Sequence, residues 1–541
     1  MTPAMTRLIL LFALVASAIG LFWYEMGRPS PVPASPLAEG QKLNCLSYAP
    51  FHGSQAPFDQ PLRIADEQIE SDLKQLAQVT SCIRTYSSAR AQGKITRFAD
   101  KLGLKVLQGI WIGRNLADNR REIEAALQLA RRHPGVIEAF IVGNETLLRG
   151  ELGADRIKTY LEEVRRRSGL PVTYADVWEF WLKAPELAPA VDFVTIHILP
   201  YWEDEPVAAT EAVAHVREIR NKVAEIFAGK DILIGEVGWP SEGRMRDGAL
   251  PSPANQALVL SGVVEAARAE NWKVNLIEAF DQPWKRLLEG TVGGYWGLFD
   301  DSGRELKFRW GEPVSNHPKW RIEAALGIGA ALLVFATAWL SRRKEDAGKD
   351  DWGRDLAIAA IALSAGLVFG WAALGLPMEP PEPGDRLRSA GMIALSLLVP
   401  MVAAGAMARN APLGSLAVAL NPPLRRQVDV WSLLLAILFA ATLVAAVHVA
   451  LGLVFDPRYK DFQLALLTGP VMALAIVTWA KAPAPVRREP GMAERVAAGL
   501  LAGSALFVMF NEGIANWQAL WFGALLVLLA LTALRTAPAP G

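Results

Sequence analysis

The 541-residue chain has almost no cysteine, little histidine and no net charge: two Cys, six His, and 55 Lys and Arg against 55 Asp and Glu. Each scarcity excludes something. Basic and acidic residues are interleaved, so no positive stripe draws a polyanion, and nucleic acid is excluded as a partner. Cys45 and Cys82 stand alone, without CxxC or His-rich spacing, which excludes a zinc centre and a disulfide scaffold. They read as buried free thiols, and neighbouring parallel strands are an awkward place for a bridge. After the first strand the chain runs LSYAPFHGS, not the glycine-rich phosphate loop of a doubly wound nucleotide-binding sheet. No cofactor and no metal are implied.

What is abundant is apolar: 52% of the chain, unevenly spread. From Leu43 to Trp320 charges, aromatics and short apolar runs alternate as in a globular domain, while from Ile322 onward long Ala/Leu/Val/Gly stretches dominate. Residues 1–26 read as an N-terminal anchor or signal, with Ala16-Ser17-Ala18 as a cleavage-like triplet but apolar residues continuing to Tyr24. A Pro-rich linker follows at 27–41, then a domain at 42–315 and a membrane domain at 320–541. Apolar runs near 322–340, 355–377, 389–408, 430–455, 462–480, 496–510 and 518–534 each approach the roughly 20 residues of a membrane span.

With the globular domain outside, alternation puts SRRKEDAGKDDWGR, the Arg409–Arg426 connection and KAPAPVRREPGMAER inside. MEPPEPGDRLR, DPRYKD and NEGIANWQ fall outside. The Lys/Arg excess is then cytoplasmic, as the positive-inside rule requires. This predicts a multi-pass protein of a bacterial inner membrane with its catalytic domain periplasmic. His448 is the ionisable residue within a span, a candidate for function by its cost there, while Trp431, Trp479, Trp517 and Trp521 sit at span ends as interface anchors.

The globular part reads as eight strands, LNCLSY, SCIRTY, LKVLQGIWI, VIEAFIVG, PVTYADVW, VDFVTIHI, DILIGEVG and KVNLIEAF, separated by amphipathic stretches. Ile69, Leu73 and Leu76 share one helical face, as do Ile123, Ala126, Leu127 and Ala130. Eight such units in roughly 280 residues predict an α/β fold, a (β/α)₈ TIM barrel, followed by an all-α membrane domain. Chemistry then belongs at the carboxyl ends of the strands.

Two acids stand there. The fourth strand runs into VGNETLLRG and the seventh into IGEVGWPSEG, placing Glu145 and Glu236 at the rim, opposite one another. A carboxylate interrupting a buried strand is costly unless paired or functional. Glycoside cleavage needs two: one protonated to release the leaving oxygen, one ionised to meet the oxocarbenium-like sugar.

ILIGEVGWPSEG and VGNE resemble glycoside hydrolase family 17, the β-1,3-glucanase and glucanosyltransferase family. SYAPF, IRTYS, IHILPYW, IEAFDQPWK and GGYWGLFDDSGRELKF follow in the family's order over residues 42–310. The resemblance is to the bacterial membrane-anchored type. It implies Glu236 as nucleophile, Glu145 as acid/base with a raised pKa at rest, and Asn144 as ligand of the sugar 2-hydroxyl. Gln282 stands where many relatives have Glu, which bears on local hydrogen bonding.

Tyr48, Tyr86, Tyr201, Trp202, Trp239, Trp284 and Trp296 are candidates to stack on sugar rings. Arg84, His197, Glu278 and Lys285 are candidates to orient carboxylates or bind hydroxyls. The partners implied are a β-glucan and the lipid bilayer. The leading expectation is a retaining enzyme that hydrolyses β-1,3-glucan or transfers it to another glucan. Alternatives are an accessory subunit of a glucan synthesis or export machinery, and a non-catalytic glucan-binding sensor. The cytoplasmic loops are too short for a nucleotide-sugar synthase, and retention of both carboxylates argues against the sensor.

Overall fold

The computed structural model describes residues 3–59, 62–342, 351–378, 382–480 and 490–536. The chain divides into two compact units. One comprises Ser30–Leu288 and Val292–Val314; the other comprises Met1–Pro29, Glu289–Thr291 and Ser315–Gly541.

The first unit is a closed barrel of eight parallel strands in sequence order: β1 (Cys45–Ser47), β2 (Cys82–Arg84), β3 (Lys105–Ile110), β4 (Ile137–Asn144), β5 (Val172–Val177), β6 (Val194–His197), β7 (Ile232–Val237) and β8 (Lys273–Leu276), with β8 pairing back to β1. After α1 (Pro3–Met26), which belongs to the other unit, the helices between strands are α2 (Asp66–Val79), α3 (Ile95–Leu102), α4 (Leu116–Arg132), α5 (Ala154–Ser168), α6 (Trp178–Lys183), α7 (Ala212–Ile226) and α8 (Pro253–Ala269). Their periodic apolar faces fill the layer between helices and sheet: Ile69, Leu73 and Leu76 of α2 and Ile123, Ala126 and Leu127 of α4 are all buried. Local caps fix where helices begin. The Asn115 side chain accepts from the backbone of Ala117 and Asp118, and Ser252 accepts from Asn255 just after Pro253 opens α8.

Strand pairing slips at three places that matter: between Ile141 and Asn144, between Ile196 and His197, and between Ile234 and Val237. Such irregularities re-aim side chains. Here they lie at the carboxyl ends of β4, β6 and β7.

The cysteines are not free thiols. Cys45 and Cys82 form a disulfide. The register pairs Leu46 with Ile83, which sets the preceding cysteines side by side on the inner face, 4.4 Å apart at Cα, within bridging range. The Pro-rich stretch also differs from a free linker. Ser30 and Val314 exchange two backbone hydrogen bonds (2.8 and 3.0 Å), the Gly311 amide donates to Pro33, and Val32 is buried in the barrel unit.

The second unit is helical. After the short α9 (Arg286–Glu289), all but its last residue in the barrel unit, it runs α10 (Trp320–Ser341), α11 (Trp352–Gly375), α12 (Pro383–Ala408), the short α13 (Leu416–Leu420) and α14 (Pro422–Arg425), α15 (Val430–Phe455), α16 (Leu464–Trp479), α17 (Met492–Glu512) and α18 (Trp517–Ala533). Among the described residues six helices, α1 included, are long and apolar enough to cross a membrane; α16 and α18 are shorter. At 16 residues α16 spans about 24 Å, short of a hydrocarbon core of roughly 30 Å. Helix α1 packs within this unit and is not a detached segment: Phe12 meets Phe335 edge-on, and Ile19 and Trp23 are buried. A Cβ on Gly366 would fall 2.4 Å from Ile19 Cδ1, and one on Gly327 would fall 2.1 Å from the Gly366 carbonyl, so small residues let α1, α10 and α11 approach closely. His448 lies on an exposed face of α15. Of the loops carrying the charge asymmetry, residues 343–350, 379–381 and 481–489 lie outside the described residues.

Candidate active site

At the carboxyl end of the barrel, oxygen atoms of Glu145 and Glu236 and a ring nitrogen of His197 all lie within 4.8 Å of one another. Each comes from a strand terminus where the ladder is irregular. The positive φ recurs across the end of β4, at Gly143 within the strand (+88°) and at Glu145 just past it (+53°), and this swings the Glu145 side chain into the mouth instead of continuing the strand alternation.

Arg84, at the end of β2, organises the cluster while fully buried. Its Nη1 is 3.1 Å from Glu236 Oε1 and donates to the Gly235 carbonyl at 2.6 Å; its Nη2 donates to Asn144 Oδ1; both nitrogens are 3.3 Å from His197 Nε2. Gly235 is required by this reach, because a Cβ there would sit 2.4 Å from Thr195 Cγ2 and 3.4 Å from Arg84 Nη1. Tyr86 donates its hydroxyl to Glu236 Oε1 at 2.9 Å. Both donors therefore take the same carboxylate oxygen, and no protein donor reaches Oε2 among the described residues. Two carboxylates and an imidazole at this spacing have the makings of a cation site, but the Arg84 guanidinium already supplies a fixed positive charge there.

His197 Nδ1 lies 2.7 Å from Glu145 Oε1, and its Nε2 lies 3.7 Å from Glu236 Oε1. Burial pushes the Glu145 carboxyl up, but the hydrogen bond and charge of His197, with Arg149 and Arg84 behind it, outweigh burial and hold it below its ordinary value. This reverses the raised value expected from sequence, because no motif announces the His197 contact. Glu145 remains partly open to solvent at 23%, against 6% for Glu236.

Glu278 is buried beside Lys285, whose Nζ is 2.8 Å away; burial raises its carboxyl, helped by the nearby charge of Glu236 and opposed by Lys285. Gln282 is buried, accepts from Trp284 Nε1 at 2.8 Å, and points its amide nitrogen at the carbonyls of Ala49 and Phe280, both at 3.4 Å. A glutamate could not donate to those carbonyls, which accounts for the amide.

Four aromatic candidates are misplaced by the sequence reading. Tyr48 is buried with its hydroxyl on Asp72, and Tyr201 is buried with its hydroxyl on the Arg244 carbonyl. Trp239 is buried with its indole nitrogen on the Leu250 carbonyl, and Trp296 packs edge-on against Tyr201. None presents a ring face for stacking. Tyr86, Trp202 and Trp284 are half-buried and do border open space.

Sequence reasoning passes over several residues. Asp176, at the end of β5, accepts from Tyr174 and from the Leu147 and Val177 amides, and burial chiefly pushes its carboxyl up to about 6, with Glu145 adding to the rise. Trp111 after β3 is 40% exposed and lies under the Arg149 guanidinium at 4.3 Å; Phe58 is 67% exposed and meets Trp284 edge-on. Asp176 interrupts an apolar strand just as Glu145 does, a signal available in YADVW.

Residues 45–297 match the BtgE/BtgC glycoside hydrolase domain. A glucan 1,3-beta-glucosidase of Saccharomyces cerevisiae is 27% identical over 260 residues, 43% of this chain and 82% of the yeast protein. The barrel is similar along nearly its whole length to this glycoside hydrolase domain. A probable glucan endo-1,3-beta-glucosidase of Aspergillus clavatus is 27% identical over 48% of this chain, and the match spans only 41% of that protein. The family 17 beta-1,3-glucanosyltransferase structure from Rhizomucor miehei is 24% identical, covering 49% of this chain and 94% of its own, with a TM-score of 0.43. The matched region, residues 45–297, occupies about half of the chain, with the helical unit beyond it.

Proposed function

We propose that the barrel cleaves β-1,3-glucosidic bonds with retention of configuration, Glu236 acting as nucleophile and Glu145 as acid/base. The observation that carries this is the spacing. Carboxylate oxygens within 4.8 Å suit direct attack, which needs about 5 Å, and leave no room for the water of an inverting site at about 6.5–9.5 Å. The β-1,3-glucan substrate follows from the relatives, which are named as glucan 1,3-beta-glucosidases.

In the first step Glu236 Oε2, the oxygen without a protein donor, attacks the anomeric carbon. The glycosidic C–O bond breaks and its oxygen takes the Glu145 proton. Arg84 and Tyr86 keep charge on Glu236 by holding Oε1. The proton is drawn from the His197–Glu145 contact when a bound sugar excludes water, because burial already acts most strongly on Glu145 and favours its neutral form. Asn144 spends its oxygen on Arg84 and keeps its amide nitrogen for the sugar 2-hydroxyl. In the second step water or a glucan hydroxyl attacks the anomeric carbon, returns a proton to Glu145 and frees Glu236.

The barrel acts outside a bacterial inner membrane. Support comes from the six span-length helices, the inside excess of Lys and Arg, and the Cys45–Cys82 bond, which suits an oxidising compartment. Burial of Ile19 and Trp23 supports α1 as a retained anchor. No nucleotide-sugar donor is expected outside, so the donor is a preformed glucan.

The test is product analysis on laminari-oligosaccharides with the full chain. The first-formed products carry the β-anomer by NMR; α-anomers would refute the assignment. Products longer than the substrate identify transfer, shorter ones alone identify hydrolysis, and Glu236→Gln abolishes both.

A further inference from the structure

Three arginines from three helices converge at one end of the helical unit. Arg7 of α1 donates through Nε to Asp355 Oδ2 at 2.5 Å, and Arg342, at the end of α10, donates to Asp355 Oδ1. Arg354, on the first turn of α11, is within electrostatic reach of Arg342. All three side chains are more than nine-tenths buried, at 7%, 6% and 5% exposure. Facing them, Asp355 is fully buried and Asp351 lies 3.9 Å from Arg354, too far to hydrogen-bond. Among the described residues of this cluster, three arginines face two aspartates.

The surplus includes unmet donors. Arg342 Nε and Nη1 and Arg354 Nε and Nη2 are buried without a hydrogen-bond partner. Buried guanidinium donors cost free energy until an oxyanion meets them, and a phosphate matches their fork geometry. Beside the same helix ends runs an apolar groove of about 210 Å³ between α1 and α10, lined by Leu8, Ile9, Phe12, Leu332, Phe335 and Trp339. Arg7 lies between the groove residues Met5 and Leu8 of α1, and Arg342 lies three residues past Trp339. Trp339 and Trp352 are exposed at this end, at the depth interface anchors take.

We propose that this end of the helical unit binds one anionic phospholipid of the cytoplasmic leaflet, its phosphate on Arg342, Arg354 and Arg7 and one acyl chain in the groove between α1 and α10. Charge picks the headgroup and the groove picks a lipid over a free anion. The proposal rests on the reading that these helices span a membrane.

The test uses the full chain in nanodiscs of phosphatidylcholine with added phosphatidylglycerol, reading retained lipid by native mass spectrometry. One phosphatidylglycerol is retained in preference to phosphatidylcholine, and the Arg342→Gln/Arg354→Gln variant weakens that preference by roughly fivefold for each arginine removed. Ala336→Phe, which fills the groove and leaves the charges intact, lowers retention as well, and it carries the comparison if circular dichroism shows the arginine variant unfolded. Equal retention of the two lipids overturns the proposal, as does undiminished preference in the folded variants. So does stabilisation by inorganic phosphate equal to that by phosphatidylglycerol. Release of the chain from membranes by alkaline carbonate overturns the membrane reading itself.

Discussion

Replacing His197 with Asn isolates what holds Glu145 below its ordinary value. The imidazole Nδ1 is 2.7 Å from Glu145 Oε1, and a hydrogen bond to a charged group contributes about 1.5–3 kcal/mol. At 1.36 kcal/mol per unit, losing it raises the carboxyl by about 1–2 units. Burial, until then outweighed, is then opposed only by the charges of Arg149 and Arg84. Because Glu145 must be protonated to donate, activity falls as pH rises through its pKa. The alkaline limb of the kcat/KM profile on laminari-oligosaccharides therefore moves up by about 1–2 pH units in His197→Asn. The acidic limb moves less, because His197 Nε2 is 3.7 Å from Glu236 Oε1, beyond hydrogen bonding. An unmoved alkaline limb, or equal movement of both limbs, would falsify the role given to this contact.

Three further outcomes follow from named contacts. Glu145→Gln lowers kcat on laminari-oligosaccharides by roughly 10²–10⁴-fold, while an aryl glucoside whose leaving group needs no proton loses far less in glucosylation, read as the burst in stopped flow; equal losses exclude Glu145 as the acid. Asp176, raised to about 6, contributes stability present below its unfolded value and lost as pH climbs through about 6; Asp176→Asn removes up to about 3 kcal/mol of that dependence, seen as a flatter melting temperature between pH 4 and pH 6. Removing the Cys45–Cys82 crosslink, which closes a separation of 37 residues, destabilises the barrel by about 4 kcal/mol; denaturant titration of the double Ser variant checks it, and an unchanged midpoint refutes the contribution.

The barrel was legible because period-two and period-3.6 patterns alternate eight times, and its acids because a carboxylate interrupting an apolar strand is costly. The same cost marks Asp176, but it carries no motif to single it out. What sequence hides is the direction of a side chain at a strand end. Tyr48, Tyr201 and Trp239 occupy rim positions in the chain yet turn inward to Asp72 and to backbone carbonyls, whereas bulges turn Glu145 and Glu236 into the mouth. Register was equally invisible: one residue of slip would have separated Cys45 from Cys82, and only the pairing of Leu46 with Ile83 sets them together. The His197 contact joins residues 52 positions apart, beyond any local pattern.

The antiparallel bridge between Ser30 and Val314 brings the two ends of the barrel unit together, and within the helical unit Tyr24 of α1 meets Trp320 of α10 edge-on at 5.7 Å. In chain order the barrel unit is thereby an insertion between α1 and α10, interrupted once where Glu289–Thr291 belongs to the helical unit. Excision of residues 30–314 with a short connector keeps the contact of Tyr24 with Trp320 but removes Thr291, whose hydroxyl donates to Asp461 of the helical unit. A graft of this kind therefore keeps α1 against α10 and gives up one anchor of the loop between α15 and α16.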